Sequence, residues 1–282
     1  MSTPAHTAPG RADASRPDGP YALVAGLYVS AHLVPLVLLV VSGVVTDAGA
    51  LYVSFLLAVT GVTALSGWVV SRLPGLAVRV GRHDAAWLLV AVPFVWFLGA
   101  YGGFGLVGLD PPALVALLSV LGIGGGMLCG ILLVPMSRTR HANAATDGAT
   151  ELVAWEARWP RGWRRTGRVV SLGAFAVGAV GVVGAFGLGY DWAWNLYYFV
   201  FVGAVAMNVL NPRTFRVTDA GLVVEYPLVR RFRPWSAYIR YDVTTDALVI
   251  RPTGRWRPAH RCARDDIEEL DAVVAALDEV LV

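Results

Sequence analysis

The sequence predicts a membrane protein in two parts. The first is an all-α bundle of six transmembrane helices. The second is a small C-terminal cytoplasmic α+β domain, an antiparallel sheet closed by a terminal helix. Three observations predict this. Hydrophobic residues make up 56% of the chain and charged residues 15%, where soluble domains carry about 45–50% and about 25%. Six stretches approach the roughly 20 apolar residues that cross a hydrocarbon core of about 30 Å. After Asn211-Pro212 the long apolar runs give way to short alternating ones, the period of strands. This balance excludes a disordered chain, a secreted disulfide scaffold and a plain soluble enzyme. Cys129 and Cys262 lie far apart with no metal-ligand spacing, so they read as free thiols.

Residues 1–20 are rich in Ala, Pro, Gly, Ser and Thr and read as a disordered tail. The predicted spans are Tyr21–Val45, Ala50–Ser71, Ala85–Gly108, Pro111–Met136, Arg168–Tyr190 and Trp192–Leu210. Together they make a transmembrane domain over 21–210 with one long internal loop, 137–167. The first run exceeds the about 7–15 apolar residues of a signal core and follows a polar tail, so it reads as a span. Short turns around Asp47, Asp110 and Asp191 join the paired spans, which predicts antiparallel neighbours.

Charge orients the spans. The chain has no Lys, so all 23 basic residues are Arg. Every Arg falls in the N-terminal tail, in Arg72–Arg82, in the 137–167 loop and its edge, or after Asn211. The turns at Asp47, Asp110 and Asp191 carry none. By the positive-inside bias, both termini are expected in the cytoplasm and the protein in the plasma membrane.

The span interiors hold no Arg, Asp or Glu. An ionisable group at mid-bilayer costs about 2.5–3.5 kcal/mol on insertion scales, so His32 stands out, with the neutral Asn195 and Asn208 as a further polar pair. Packed, hydrogen-bonded side chains are the plain account of these three; a proton relay or a substrate path is the sharper one. Pro35, Pro93 and the run Gly124–Gly126 are positions where helices kink or break. No break recurs in a second half of the chain, so the repeat signature of many transporters is missing. Small residues, Ser54, Ala58 and Gly61 in one span and Ala174, Gly178, Gly181, Gly184 and Gly187 in another, predict close helix packing.

No HExxH, GxSxG or phosphate-binding GxxxxGK[ST] motif is present. No catalytic residue, metal site or cofactor is assigned, and an enzyme ranks last among the readings.

The internal loop carries the strongest binding signal. Thr150–Trp159 reads as a short amphipathic helix, because Leu152, Trp155 and Trp159 recur at three and four residues, with Pro160 ending it. Trp163 and the cluster Arg161, Arg164, Arg165 and Arg168 follow. Aromatic rings interleaved with Arg suit a membrane interface, and each basic residue near an anionic leaflet adds about 1 kcal/mol. Two readings stand: these residues only seat the helix and enforce topology, or they capture anionic headgroups. Nucleic acid is a poorer partner, because the patch is pinned at the bilayer.

Beyond residue 211 the predicted strands are Thr214–Val217, Leu222–Tyr226, Val229–Pro234, Tyr238–Val243, Ala247–Arg251 and Trp256–Cys262. A helix follows from about Asp265, with Asp265 and Glu268 as a capping box. Ile267, Leu270, Val273, Val274, Leu277 and Leu281 form its apolar stripe. Charge divides this region: Arg213 to Arg264 holds eleven Arg against four acids, and the helix holds seven acids and no base. The basic sheet is expected to face the membrane or an acidic partner.

This order resembles the prokaryotic PH-like domains attached to membrane spans. The resemblance rests on Thr218-Asp219-Ala220-Gly221-Leu222, on Trp235-Ser236 with Tyr238 and Tyr241, on Ala247-Leu248-Val249-Ile250, and on the helix start at Asp265–Leu270. It covers about a quarter of the chain. A full PH-like fold has seven strands before the helix, and six are found here. The resemblance implies a binding or scaffolding module without catalytic residues. The expected function is therefore binding at the inner leaflet, to lipid headgroups or to a protein partner. The alternative is a small-solute or lipid transporter with a regulatory tail.

Overall fold

A computed structural model describes residues 17–207, 210–254 and 257–281. Asn208, Trp256 and most of the expected N-terminal tail lie outside the described residues. The chain divides into two compact units, Met1–Ala144 and Ala145–Val282, each described by itself.

Among the described residues five helices are long and apolar enough to cross a membrane: Gly19–Ser42, Ala48–Ser71, Asp84–Leu106, Ala113–Ala145 and Arg161–Gly187. The first unit holds four of them. Asp18 and Asp47 start the first two helices, their carboxylates accepting from the Tyr21 and Ala50 backbone N–H groups at 3.3 and 2.7 Å. Such caps satisfy donors that the first turn leaves open. These two helices approach closely where residues are small. A Cβ on Gly26 would lie 2.5 Å from the Thr63 carbonyl, and Ser30 meets the Thr63 hydroxyl at 2.7 Å. Gly61, expected to pack, faces open space.

The third of these helices is irregular. Pro93 lacks an N–H and its ring crowds the Leu89 carbonyl, and the helix tightens to 3-10 over Val92–Phe94. A π-turn follows at Leu98–Gly102. Opposite the break, the fourth helix presents Gly130, where a Cβ would lie 2.4 Å from the Leu89 carbonyl oxygen. That fourth helix runs to Ala145, nine residues beyond the expected Met136, because its polar end keeps contacts. Tyr21 and Ser137 hydroxyls meet at 3.0 Å, and Arg140 pairs with Asp18 and lies over the Tyr21 ring.

In the second unit, the expected sixth span is two pieces: a 3-10 stretch Asp191–Tyr198 and an α-helix Phe199–Met207. Aromatic residues crowd the first piece, and they lose side-chain freedom in an α-helix. The predicted packing of the fifth helix is present. Cβ atoms on Gly178, Gly181 and Gly184 would meet Val200, Leu196 and Ala193 within 3 Å.

The segment expected as a helix over 150–159 is a strand, β1 (Glu151–Ala157). It pairs antiparallel with β2 (Arg213–Thr218), from Glu151↔Thr218 to Ala157↔Arg213. Val153, Trp155 and Ala157 share its inner face, and this period-2 pattern wins because β2 offers an edge to pair with. The expected 137–167 loop is thus the end of one helix, a strand and the start of the next helix. Strands β3 (Gly221–Tyr226) and β4 (Val229–Pro234) complete a four-stranded sheet, β1-β2-β3-β4. Strands β5 (Tyr238–Val243), β6 (Ala247–Pro252) and β7 (His260–Ala263) form a second, three-stranded sheet. The core between them is built on Phe215, Val217, Leu222, Leu248, Ile250 and Cys262, each 1% exposed or less.

The terminal helix runs Leu270–Leu281 and buries Val273 and Leu277 in that core. It starts later than expected, and the Asp265–Glu268 capping box does not form. Arg264–Asp266 is instead a 3-10 turn, in which the Asp265 and Asp266 carboxylates take partners outside the helix. Asp266 accepts from the Arg158 N–H at 2.8 Å and Asp265 pairs with Arg161 at 3.0 Å.

Candidate functional site at the sheet–helix junction

The fifth helix and the final helical segment are inserted between β1 and β2. Both leave from the end of the four-stranded sheet where Ala157 pairs with Arg213. The predicted interface residues divide there. Trp155 is 7% exposed and stacks on Phe215, with ring centroids 5.4 Å apart; it fills the core and does not reach the surface. Trp159 is half-buried and stacks on Trp163 at 5.5 Å. Trp163 is 53% exposed and carries the Arg261 guanidinium over its ring at 5.9 Å. Arg161, Arg165 and Arg168 are exposed and Arg164 half-buried, all on the first turns of the fifth helix. Arg161 is engaged by Asp265.

The residue that organises this junction is Arg213, which was counted in the sequence only as one of eleven cations. It is 9% exposed. Its guanidinium lies 4.4 Å from the Trp159 ring centroid and 5.3 Å from that of Tyr226. Such contacts offset part of the cost of burying a cation, up to about 2 kcal/mol each when desolvated. Its Nε has no hydrogen-bond partner, and among the described residues no carboxylate pairs with it. Burial lowers its pKa, and Arg231 adds to that.

Register gathers more positive charge on the same face. Phe215 opposes Val224, Val224 opposes Arg231 and Leu222 opposes Arg233. Strand side chains alternate, so Arg213, Arg231 and Arg233 share the core-facing side of the sheet. From the other sheet, His260 meets Phe215 edge-on at 6.1 Å, and its Nε2 lies 3.4 Å from the Tyr238 hydroxyl. Burial, then Arg233, Arg213 and Arg231, push the His260 pKa down to about 4. Burial raises Tyr238 and pushes Cys262 up to about 12, so that thiol is inert. The mouth between the two sheets is cationic and aromatic. On the opposite face the charges are matched instead: Arg216 bridges Glu151 and Glu225 at 2.8 and 3.0 Å.

The predicted intramembrane residues do not share one unit. His32 belongs to the first: its Nδ1 lies 2.8 Å from the Tyr28 carbonyl oxygen and its Nε2 is buried without a hydrogen-bond partner. Gly126 allows this ring in, since a Cβ there would meet Pro93 and His32 at 3.0 Å or less. Asn195 is exposed in the 3-10 stretch of the second unit. No cluster of metal-ligating side chains occurs among the described residues.

Arg213, Arg231 and Arg233 were missed because the strand pattern shows alternation but not pairing. The usable signal was Val229, Arg231 and Arg233 alternating on one side of a strand whose neighbours are apolar on that side. Comparisons with family models, curated proteins and solved structures find no match for this chain.

Proposed function

We propose that this protein is a membrane-anchored binding module: a PH-like domain held at the inner leaflet, where it engages anionic lipid headgroups. Six spans anchor it, the 3-10 and α pieces after Asp191 together forming the sixth, with both termini cytoplasmic. The observation that carries the reading is the insertion of a helical pair between β1 and β2. It ties the sheet to the membrane through two chain crossings at one end. The seven strands among the described residues, in sheets of four and three, with the terminal helix, agree with the number the PH-like resemblance implies. Trp159, Trp163, Arg161, Arg164, Arg165 and Arg168 would lie at headgroup level, where rings and guanidinium groups suit an anionic interface.

The test is native mass spectrometry of the full chain, released from micelles containing phosphatidylglycerol or phosphatidylcholine. Several phosphatidylglycerol molecules are expected to stay bound, and fewer on an Arg161→Gln/Arg164→Gln/Arg165→Gln variant. Equal retention of the two lipids, or no loss in the variant, would overturn the headgroup role.

A further inference from the structure

The cationic mouth between the two sheets is a different place from the exposed arginines of the fifth helix. Its arginines stand on the core-facing side of the sheet, Arg213 buried, Arg233 half-buried and Arg231 exposed, and three observations set it apart. Arg213 is nine-tenths buried with its Nε unpartnered, an arrangement a folded chain rarely leaves open. Arg231 and Arg233 stand on the same face, and neither forms an ion pair among the described residues. The groups that act electrostatically on His260 in this mouth are all arginines. Like charge gathered in a partly buried place focuses the field there and draws in an anion.

The chemistry of the anion follows from the donors. Guanidinium forks bind phosphate oxygens in pairs. Three of them without a carboxylate suit a dianion, so a phosphate monoester fits better than a singly charged diester. The Arg213 guanidinium contacts the rings of both Trp159 and Tyr226, at 4.4 and 5.3 Å, which restrains it while its Nε is left without a partner. Arg231 lies 5.3 Å from the same Tyr226 ring and is itself exposed. It gives the ligand a way in from solvent.

The source of the phosphate follows from position. Tyr226↔Val229 is the last pair of β3 and β4, so Pro227-Leu228 is the turn between them. That turn is at the sheet end from which both inserted helical segments leave. Leu228 is 88% exposed there, an apolar side chain at the tip of a hairpin beside the cationic mouth. An apolar tip beside a phosphate site suits a leaflet, where acyl chain and headgroup arrive together.

We propose that Arg213, Arg231 and Arg233 form a single site for a lipid phosphate-monoester headgroup, with Leu228 inserted among the acyl chains beside it. The proposal rests on the inner-leaflet reading above and adds a defined, stoichiometric site to it.

The experiment uses the full chain in neutral micelles. Binding of dioctanoyl phosphatidic acid, dioctanoyl phosphatidylcholine and inorganic phosphate is measured by titration calorimetry and native mass spectrometry. Phosphatidic acid is expected to bind one per chain. Arg231→Gln/Arg233→Gln should weaken it about tenfold or more, the scale of losing charge-assisted hydrogen bonds, with melting temperature unchanged. Leu228→Ser should weaken phosphatidic acid alone. The Arg161→Gln/Arg164→Gln/Arg165→Gln variant should keep the single site while losing loosely held lipids. If it keeps those lipids too, the headgroup role of the helix arginines fails and this site stands. Undiminished phosphatidic acid binding by Arg231→Gln/Arg233→Gln would overturn the site. Inorganic phosphate binding as tightly as phosphatidic acid, or equal binding of phosphatidylcholine, would overturn the lipid monoester as its ligand.

Discussion

The Asp266 carboxylate accepts a hydrogen bond at 2.8 Å from the backbone N–H of Arg158, more than a hundred residues earlier in the chain. The Arg158 carbonyl in turn accepts from Ala263 at 2.8 Å. At the other end of β1, Asp219 accepts from the Thr150 N–H at 3.2 Å and donates its own N–H to the Thr150 carbonyl at 3.1 Å. Strand β1 is thus fastened at both ends by groups from the far side of the inserted helices. Asp266→Ala should cost about 1 kcal/mol, the net worth of one exposed hydrogen bond. Hydrogen exchange should show amides of β1 opening first, ahead of those in β6.

Trp155 and Trp163 were expected to share a surface role, and their burial separates them. Trp155→Ala should destabilise the second unit by about 3–5 kcal/mol, as large-to-small changes in a packed core do. Trp163→Ala should cost under about 1 kcal/mol, the ordinary range for an exposed position. Thermal melts of the two variants in micelles check the difference. Equal shifts would contradict the strand assignment of residues 151–157.

His260 gives the module a stability that depends on pH. Its folded pKa of about 4 lies below the ordinary value of 6.5, so the folded state favours the neutral ring. The unfolded chain then binds the proton more readily, and stability falls as pH drops from about 6.5 towards about 4, by up to about 3 kcal/mol. His260→Gln should flatten the loss in melting temperature between pH 7 and pH 5. An anion in the mouth should raise the His260 pKa, read by the imidazole proton shift in nuclear magnetic resonance.

Gly130 marks where two helices touch backbone to backbone. Gly130→Ala should cost about 1–3 kcal/mol, the scale of overpacking, because the added methyl would meet the Leu89 and Val90 backbone rather than a side chain that can move aside. Gly61→Ala meets nothing within 4 Å and should be neutral or stabilising by about 0.5–1 kcal/mol. Melting temperatures in one detergent decide both.

Orientation is checked with single cysteines at Thr46, Asp110, Asp191 and Thr253, all exposed. An impermeant maleimide added to intact cells should label the first three and leave Thr253→Cys unlabelled. The native thiols, both buried, should give little background.

Much of the architecture was legible because it follows from local patterns. Strands Val229–Pro234 and Tyr238–Val243 appear at the expected residues, since turn residues bound them on both sides. Apolar runs revealed all five of the helices that are long and apolar enough to cross a membrane among the described residues, for the same reason. What stayed hidden depends on distant partners. Leu152, Trp155 and Trp159 fit a helical spacing as well as Val153, Trp155 and Ala157 fit a strand. Only β2, beyond the inserted helices, decides between them. Asp265 looks like a cap until Arg161 claims its carboxylate. The cationic mouth needs three strands in register with a fourth from another sheet, and no local pattern encodes that meeting.

The insertion between β1 and β2 also sets an order on biosynthesis. During synthesis β1 emerges before the helices that follow it, and its partner β2 emerges only after them. For that interval β1 offers an unpaired edge carrying Trp155, a segment open to mispairing until its partner arrives. Closure of the sheet then requires both connecting segments to have returned to the same side. The finished domain is therefore a record of that excursion: a chain whose helical segments failed to fold back to one end of the sheet would have the residues of the domain but no way to assemble it.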